Sequence, residues 1–258
     1  MSHPTILALV RHGESTWIAE GRFQGRGDPP LSALGQRQAA AVGARLAAPA
    51  RMPSLPVPDA APLAIWHSPL QRAAQTARIV HAARGADAPL RPLDSLSELS
   101  QGEWEGLTHD EVRQRWPGEL AAWRDDPMHH HAPGGESLTD ALNRARHARR
   151  AILGEMERGV PGDDAVGRAP AEPVLGYERT FAGGDTPAWA VIVAHDGVLR
   201  LLLLDLLGIG LEHFWSFPLA LASVSILDMG AGVVRLRAHN LDEHIVALGR
   251  TPSQPGVS

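Results

Sequence analysis

The chain has 258 residues, with 29 acidic side chains against 24 basic ones and a formal net charge of −5 when histidine is neutral. Every basic side chain is arginine and cysteine is absent, which excludes a disulfide framework, Cys-ligated metal, a cysteine nucleophile, a Schiff-base lysine and a Walker A loop. The acidic balance also argues against a nucleic-acid backbone as partner, so arginine, histidine and backbone N–H are left to handle anions.

The first apolar run, Ile6 to Val10, stops abruptly at Arg11-His12-Gly13, as a buried parallel strand does when it ends at a functional loop. The run is too short for a signal segment. The most apolar later stretch, VLRLLLLDLLGIGL, is broken by Arg200 and Asp205, so the expectation is a soluble cytoplasmic protein with no membrane partner. Ser32 is placed to cap a helix over about 33–48, whose inner face is Ala39, Val42, Gly43 and Leu46. The five prolines of residues 49–62 make a surface excursion. A strand at Leu63–Trp66 follows, and then Ser68-Pro69 as cap and first turn of a helix running to about Arg84.

A third strand is expected at Pro89–Leu93. Thr108 and Glu111 have the spacing of a capping box and open a short helix ended by Pro117. Ser137 and Asp140 can cap a long helix from Leu138 to Arg158. Residues 160–187 read as an insertion and Ala188–Ala194 as a buried strand delivering His195 to a turn. A helix over Gly197–Leu207 and a hairpin, Ala222–Leu227 with Val233–Ala238, complete the order. This predicts one domain over residues 1–250, a tail over 251–258, and a three-layer α/β/α sandwich with a mostly parallel central sheet and a C-terminal hairpin.

Two strands therefore end in histidine, next to Arg11 on one side and Asp196-Gly197 on the other. Arg72 falls in the first turn of its helix, where free N–H groups and the helix dipole already favour a phosphate. Converging, Arg11, Arg72 and His195 would grip a phosphoryl group through bidentate and charge-assisted bonds. Neutral His12 would attack phosphorus. Glu98, just after the third strand, is the candidate acid for the leaving oxygen and then the base for water. No step of that cycle calls for a metal or another cofactor.

The strings LALVRHGESTW, EGRFQG, DPPLSALGQRQA, HSPLQRAAQTA, LSELSQGEWEG, PGGES and VIVAHDGVLR occur in order between about residues 6 and 208. Together they resemble the histidine phosphatase superfamily in its phosphoglycerate-mutase-like branch. The resemblance implies that His12 is the phosphorylated nucleophile, that Arg11, Arg72 and His195 bind phosphate, and that Glu98 is the proton donor. It also implies a mixed sheet flanked by helices.

Two positions depart from the family pattern. Ile18 stands where members commonly carry an Asn that contacts phosphate, with Gln24 as a substitute donor. Asp196 stands where Gly is usual, and a carboxylate there weakens anion binding unless it points away or pairs with an arginine. The GEWEG segment resembles broad-specificity phosphatases, and no Arg pair like that of the mutases occurs between Gly106 and Gly135. The expected function is thus hydrolysis of small phosphomonoesters, with a 2,3-bisphosphoglycerate-dependent mutase or a weakly catalytic phospho-ligand binder as alternatives. His129-His130-His131 read as a solvated loop rather than a metal site, Glu14 as support, and Glu103 and Glu105 as competitors of Glu98. Trp17 and Trp104 lie inside catalytic motifs, whereas Trp123 and Trp215 carry no functional reading. The natural substrate and the oligomeric state are open at this point.

Overall fold

The structure, a computed structural model, describes residues 5–84, 87–159, 187–230 and 232–248. The expected insertion over 160–187 lies outside the described residues except for Pro187, and the tail over 251–258 lies wholly outside them. Six strands form one sheet in the order β3-β2-β4-β1-β5-β6, where β1 is Thr5–Arg11, β2 Ile65–His67, β3 Leu90–Pro92, β4 Ala188–Ala194, β5 Val224–Gly230 and β6 Val233–Leu241. The pairs β3·β2, β2·β4 and β4·β1 are parallel, while β1·β5 and β5·β6 are antiparallel.

Period-two alternation explains why β1 is apolar from Ile6 to Val10 and β4 along its whole length. Ile6, Ala8 and Val10 of β1, with Trp189, Val191 and Val193 of β4, enter one core, while Leu7, Leu9, Ala190, Ile192 and Ala194 enter the other. Helices α2 (Ala33–Ala47) and α3 (Gln71–Ala83) supply Val42, Leu46, Ala73, Ala77 and Val80 to the first. Helices α6 (Leu138–Gly159) and α7 (Asp196–Leu207) cover the second through residues such as Ala145, Ile152, Val198 and Leu202. These are the three layers read from the sequence. The short α1 (Thr16–Ala19) follows the first strand. A third small core, Trp104, Val112, Leu120 and Ala132, lies under α4 (His109–Arg115) and α5 (Pro117–Asp125).

Several expected boundaries shift, and in the hairpin the strands expected at Ala222–Leu227 and Val233–Ala238 are Val224–Gly230 and Val233–Leu241. The strand expected at Leu63–Trp66 is Ile65–His67. Helix α3 starts at Gln71 with Leu70 as its N-cap, not at Ser68-Pro69; the Ser68 hydroxyl accepts from Leu70 N–H at 3.2 Å and lies 2.7 Å from His195 Nε2, so it serves the loop and the site. Pro117 does end α4, yet it also begins α5 as its first residue, where its missing N–H costs nothing. The Ser32 cap, accepting from Gly35 N–H, and the Thr108/Glu111 capping box form as expected.

Candidate active site

The register of β1 and β4 sets the site. Arg11 pairs with Ala194 in the sheet, and His12 N–H donates to the Ala194 carbonyl at 3.0 Å. The two strands therefore release His12 and His195 side by side, with ring centroids 5.0 Å apart and edge to face. His12 is 2% exposed and His195 is fully buried. His12 Nδ1 lies 2.6 Å from the Gly13 carbonyl. A carbonyl oxygen only accepts, so the ring proton sits on Nδ1 and the lone pair on Nε2. Burial, then Arg72 and Arg11, hold the His12 pKa well below the usual 6.5, which keeps that nitrogen unprotonated.

Gly13 has its own steric reason. A Cβ there would stand 2.5 Å from the Gly35 carbonyl oxygen, so only glycine lets the loop pass the start of α2. Its N–H donates to Thr76 Oγ1 at 3.2 Å, and Thr76 donates to the Arg72 carbonyl at 2.8 Å. The loop that carries His12 is thereby tied to the helix that carries Arg72.

Arg72 is fully buried. Its Nε donates to His12 Nε2 at 3.3 Å, and its two terminal nitrogens donate to the carbonyls of Gly27 at 2.7 Å and Gly25 at 2.8 Å. Burial lowers its pKa to about 10, which leaves it charged at neutral pH. Arg11 donates to the Leu219 carbonyl and lies 3.6 Å from Asp196. Asp196 also lies 3.2 Å from Nε of the buried Arg200, so the carboxylate that departs from the family pattern has two arginine partners.

Glu98 sits against the N-terminus of α7. Its carboxylate accepts from Val198 N–H and Gly197 N–H, each at 3.2 Å, and from Leu99 N–H at 2.9 Å. A Cβ on Gly197 would fall 2.8 Å from Glu98 Oε1, which accounts for glycine at that position. Burial raises the Glu98 pKa above the usual 4.5; the N–H of Leu99 opposes it and the charge of Asp196 adds to it. Arg144 of α6 fixes the segment by donating to the carbonyls of Ser95 at 3.0 Å and Ser97 at 2.6 Å while pairing with Glu136 at 2.7 Å. The structure thus brings together a neutral histidine, a second histidine, two arginines and a carboxyl held partly toward its acid form.

Residues 7–160 and 171–242 match the histidine phosphatase superfamily (branch 1). The chain belongs to that superfamily. It is 30% identical over 223 residues to phosphoserine phosphatase 1 of Hydrogenobacter thermophilus, with 86% of each chain covered. It is 32% identical over 212 residues to glucosyl-3-phosphoglycerate phosphatase of Mycolicibacterium vanbaalenii, covering 81% of this chain and 76% of that protein. Among solved structures, Bacillus stearothermophilus YhfR aligns with a TM-score of 0.72 and 29% identity over 93% of this chain and 99% of that one. Curated 2,3-bisphosphoglycerate-dependent phosphoglycerate mutases match over 60% of the chain. This histidine phosphatase is an enzyme of the hydrolase class.

The cleft of this histidine phosphatase is lined by Arg11, Gln24 and Glu98 among the expected residues, with His12, Arg72 and His195 buried behind them. Gln24 Oε1 accepts from the Ser15 hydroxyl, which also caps α1. Ile18 is buried in α1. The competitors of Glu98 stand elsewhere: Glu103 is exposed, and Glu105 holds loops through the N–H groups of Arg26 and Gln101, each at 2.9 Å. Glu14 accepts from the Ser32 hydroxyl at 2.6 Å, a supporting contact. His129 pairs with Asp126 at 2.8 Å on an exposed loop, and no cluster among the described residues could hold a metal ion.

Several residues of the site have no functional role in the sequence reading. Ser68, read as a helix cap, touches His195; Arg144, on an arginine-rich helix, clamps the Glu98 segment. Trp123 and Trp215 line the cleft with their rings 5.0 Å apart and edge to face. Only the motif string around Ser68 could have flagged any of them.

Proposed function

We propose that this phosphatase hydrolyses small phosphomonoesters through a phosphohistidine on His12, with no metal. The observation that carries the reading is the state of His12: Nδ1–H is bonded to the Gly13 carbonyl and unprotonated Nε2 faces the Arg72 guanidinium. Nε2 attacks phosphorus in line with the ester oxygen. Arg11, Arg72 and His195 hold the three equatorial oxygens and take up their charge. Glu98 gives its proton to the departing alkoxide. The resulting carboxylate then takes a proton from water as that water attacks the phosphohistidine, and inorganic phosphate leaves with the enzyme restored.

The pairing of Asp196 with Arg11 and Arg200 matches its charge and so answers one of the two departures that motivate a weakly catalytic binder, the other being Ile18. Relatives named for phosphoserine and for glucosyl-3-phosphoglycerate support a small phosphorylated metabolite as substrate, met in the cytoplasm and without nucleic acid or membrane as partner. No helix among the described residues is long and apolar enough to cross a membrane.

The test is a phosphoenzyme trap. Wild type incubated with labelled p-nitrophenyl phosphate should acquire an acid-labile, base-stable label that His12→Ala lacks. Vanadate should inhibit and EDTA should leave turnover intact. Full activity in His12→Ala would overturn the mechanism, and isomerisation of 3-phosphoglycerate stimulated by 2,3-bisphosphoglycerate would replace hydrolysis by mutase chemistry.

A further inference from the structure

Arg11 is aimed into the cleft through one backbone carbonyl. Besides its ion pair with Asp196 at 3.6 Å, its guanidinium donates to the carbonyl of Leu219. The N–H of the same peptide group, that of Ala220, donates to the side-chain oxygen of Asn240 at 2.6 Å. The peptide is trans, so its two polar ends point in opposite directions and neither can turn without the other. Arg11 and Asn240 therefore hold one rigid plane from opposite sides. A carbonyl whose N–H is engaged is also the stronger acceptor, because hydrogen bonds in a chain polarise one another.

The loop over residues 217–223 carries this peptide between the phosphate end of the site and the edge strand β6. On the inner side Ala222 N–H donates to the His12 carbonyl, and Arg11 N–H donates to the Ser223 carbonyl, each at 3.2 Å. On the outer side Asn240 takes Ala220 N–H, and His244 Nε2 donates to the Ala222 carbonyl at 2.8 Å. Among the described residues other than glycine, only Ala222 and Asn240 have left-handed backbone, with φ of 53° and 54°. Such strain persists where the surroundings over-determine it, and both residues belong to this one contact. Asn240 has a local cause. Val224 pairs with Leu241 and Ile226 with Ala238, so Ser225 alone faces His239 and Asn240, and β6 bulges there. The buried Ser225 hydroxyl accepts from Asn240 N–H at 3.0 Å and pins the bulge. A bulge on an edge strand re-aims a side chain, here toward Ala220, and asparagine both tolerates the left-handed region and carries an acceptor.

We propose that Asn240 is a positioning residue for Arg11, acting through the peptide between Leu219 and Ala220. The proposal rests on the phosphatase reading, which gives Arg11 a phosphate oxygen, and adds to it a residue of the edge strand. The bulge in β6 aims Asn240, Asn240 sets the peptide plane, and the plane sets the guanidinium before phosphate arrives.

The test reads oxyanion binding apart from turnover and from stability. Full-length wild type and variants are titrated calorimetrically with orthovanadate, and Tm is followed for each. Asn240→Gly accepts the left-handed backbone and loses the side-chain acceptor, so it should weaken vanadate binding about threefold to tenfold. Asn240→Asp keeps an acceptor and tolerates the same backbone, so it should stay within about twofold of wild type. Arg11→Ala should by itself bind at least about tenfold more weakly. On that background Asn240→Gly should add less than about a further twofold, because its effect travels through the missing guanidinium. The same loss on both backgrounds overturns the proposal, as does a loss in Asn240→Asp equal to that in Asn240→Gly. A fall in Tm for Asn240→Gly with vanadate affinity unchanged also overturns it. If Arg11→Ala binds vanadate as wild type does, the phosphate role of Arg11 fails and the proposal with it. If Arg11→Ala binds weakly while Asn240→Gly binds normally, that role stands and Asn240 has no part in it.

Discussion

Arg72 Nε lies 3.3 Å from His12 Nε2, and the other two nitrogens of the same guanidinium are held by the carbonyls of Gly25 and Gly27. One planar group thus fixes a loop, marks the attacking nitrogen and supplies charge where the phosphoryl group must sit. A buried arginine bonded on all three nitrogens cannot swing away, so its position is set before substrate arrives.

Arg72→Lys keeps the charge and loses the fork. A single ammonium cannot reach His12 and both carbonyls together, so phosphate is held with poorer geometry and at least one buried carbonyl loses its donor. The expected result is a fall in kcat/KM of at least about 100-fold, roughly 2.7 kcal/mol, measured with p-nitrophenyl phosphate. A loss smaller than fivefold would show that charge alone suffices.

The pH profile follows from the opposed shifts of His12 and Glu98. Attack needs unprotonated His12, whose pKa is pushed well below 6.5, so the acid limb of kcat/KM should lie below that value. The leaving group needs protonated Glu98, whose pKa is raised above 4.5 by burial and, further, by Asp196, so activity falls as pH rises through that value. Asp196→Asn removes one of the raising charges, and the alkaline limb should move to lower pH. A limb that stays in place or moves upward contradicts the role given to Asp196.

The same burial makes the fold sensitive to acid. His12 and His195 both have folded-state pKa values well below 6.5, with burial the first cause in each and Arg72 the next. Protonation then favours the unfolded chain, so their contribution to stability is complete above pH 6.5 and is lost as pH falls toward the lowered values. Glu98 works in the opposite sense, because its raised pKa contributes stability at low pH that is lost as pH rises. The wild-type Tm should therefore fall below pH 6.5 with a steeper slope than in His195→Gln. Parallel slopes would mean that His195 is not the source.

Much of this arrangement was legible because local rules and tertiary demands agree. An apolar run ending in Arg11-His12-Gly13 and another ending in His195 are strand ends by periodicity, and in a sheet whose adjacent strands run parallel such ends must share one edge. The sequence misleads where one residue serves two masters. Ser68-Pro69 has the form of a helix start, yet the Ser68 hydroxyl is taken by Leu70 and His195, and α3 begins at Gln71. Pro117 reads as a stop and is also a start, which hid α5 and with it Trp123. Trp215 lies in a turn without periodic signal, and its meeting with Trp123 is a tertiary contact that neither segment encodes alone.

Two glycine-to-alanine changes should separate stability from chemistry. At Gly197 the added Cβ would meet the ends of side chains, Leu99 Cδ1 at 2.7 Å and Glu98 Oε1 at 2.8 Å, which can yield. Gly197→Ala should therefore fold and lose kcat about tenfold to 100-fold by moving the acid. At Gly13 the Cβ would meet backbone, the Gly35 carbonyl oxygen at 2.5 Å. Gly13→Ala should be destabilised by about 1–3 kcal/mol, read by urea denaturation. The reverse ranking, with Gly197→Ala the less stable, would refute this division.

Ser68 Oγ lies 2.7 Å from His195 Nε2, and both side chains are fully buried. The hydroxyl oxygen already accepts from Leu70 N–H, so its hydrogen is available to Nε2. The imidazole proton then sits on Nδ1, which is buried and has no partner among the described residues, and a phosphoryl oxygen needs a donor of that kind. Ser68 is on this account a positioning residue acting through His195. Ser68→Ala should weaken inhibition by phosphate and vanadate about tenfold and shift the His195 ring toward the Nε2–H tautomer in nitrogen-15 spectra. Ser68→Thr, which keeps the hydroxyl, should recover both. If Ser68→Ala leaves the tautomer and the inhibition constants as in wild type, the hydroxyl does no more than cap its loop.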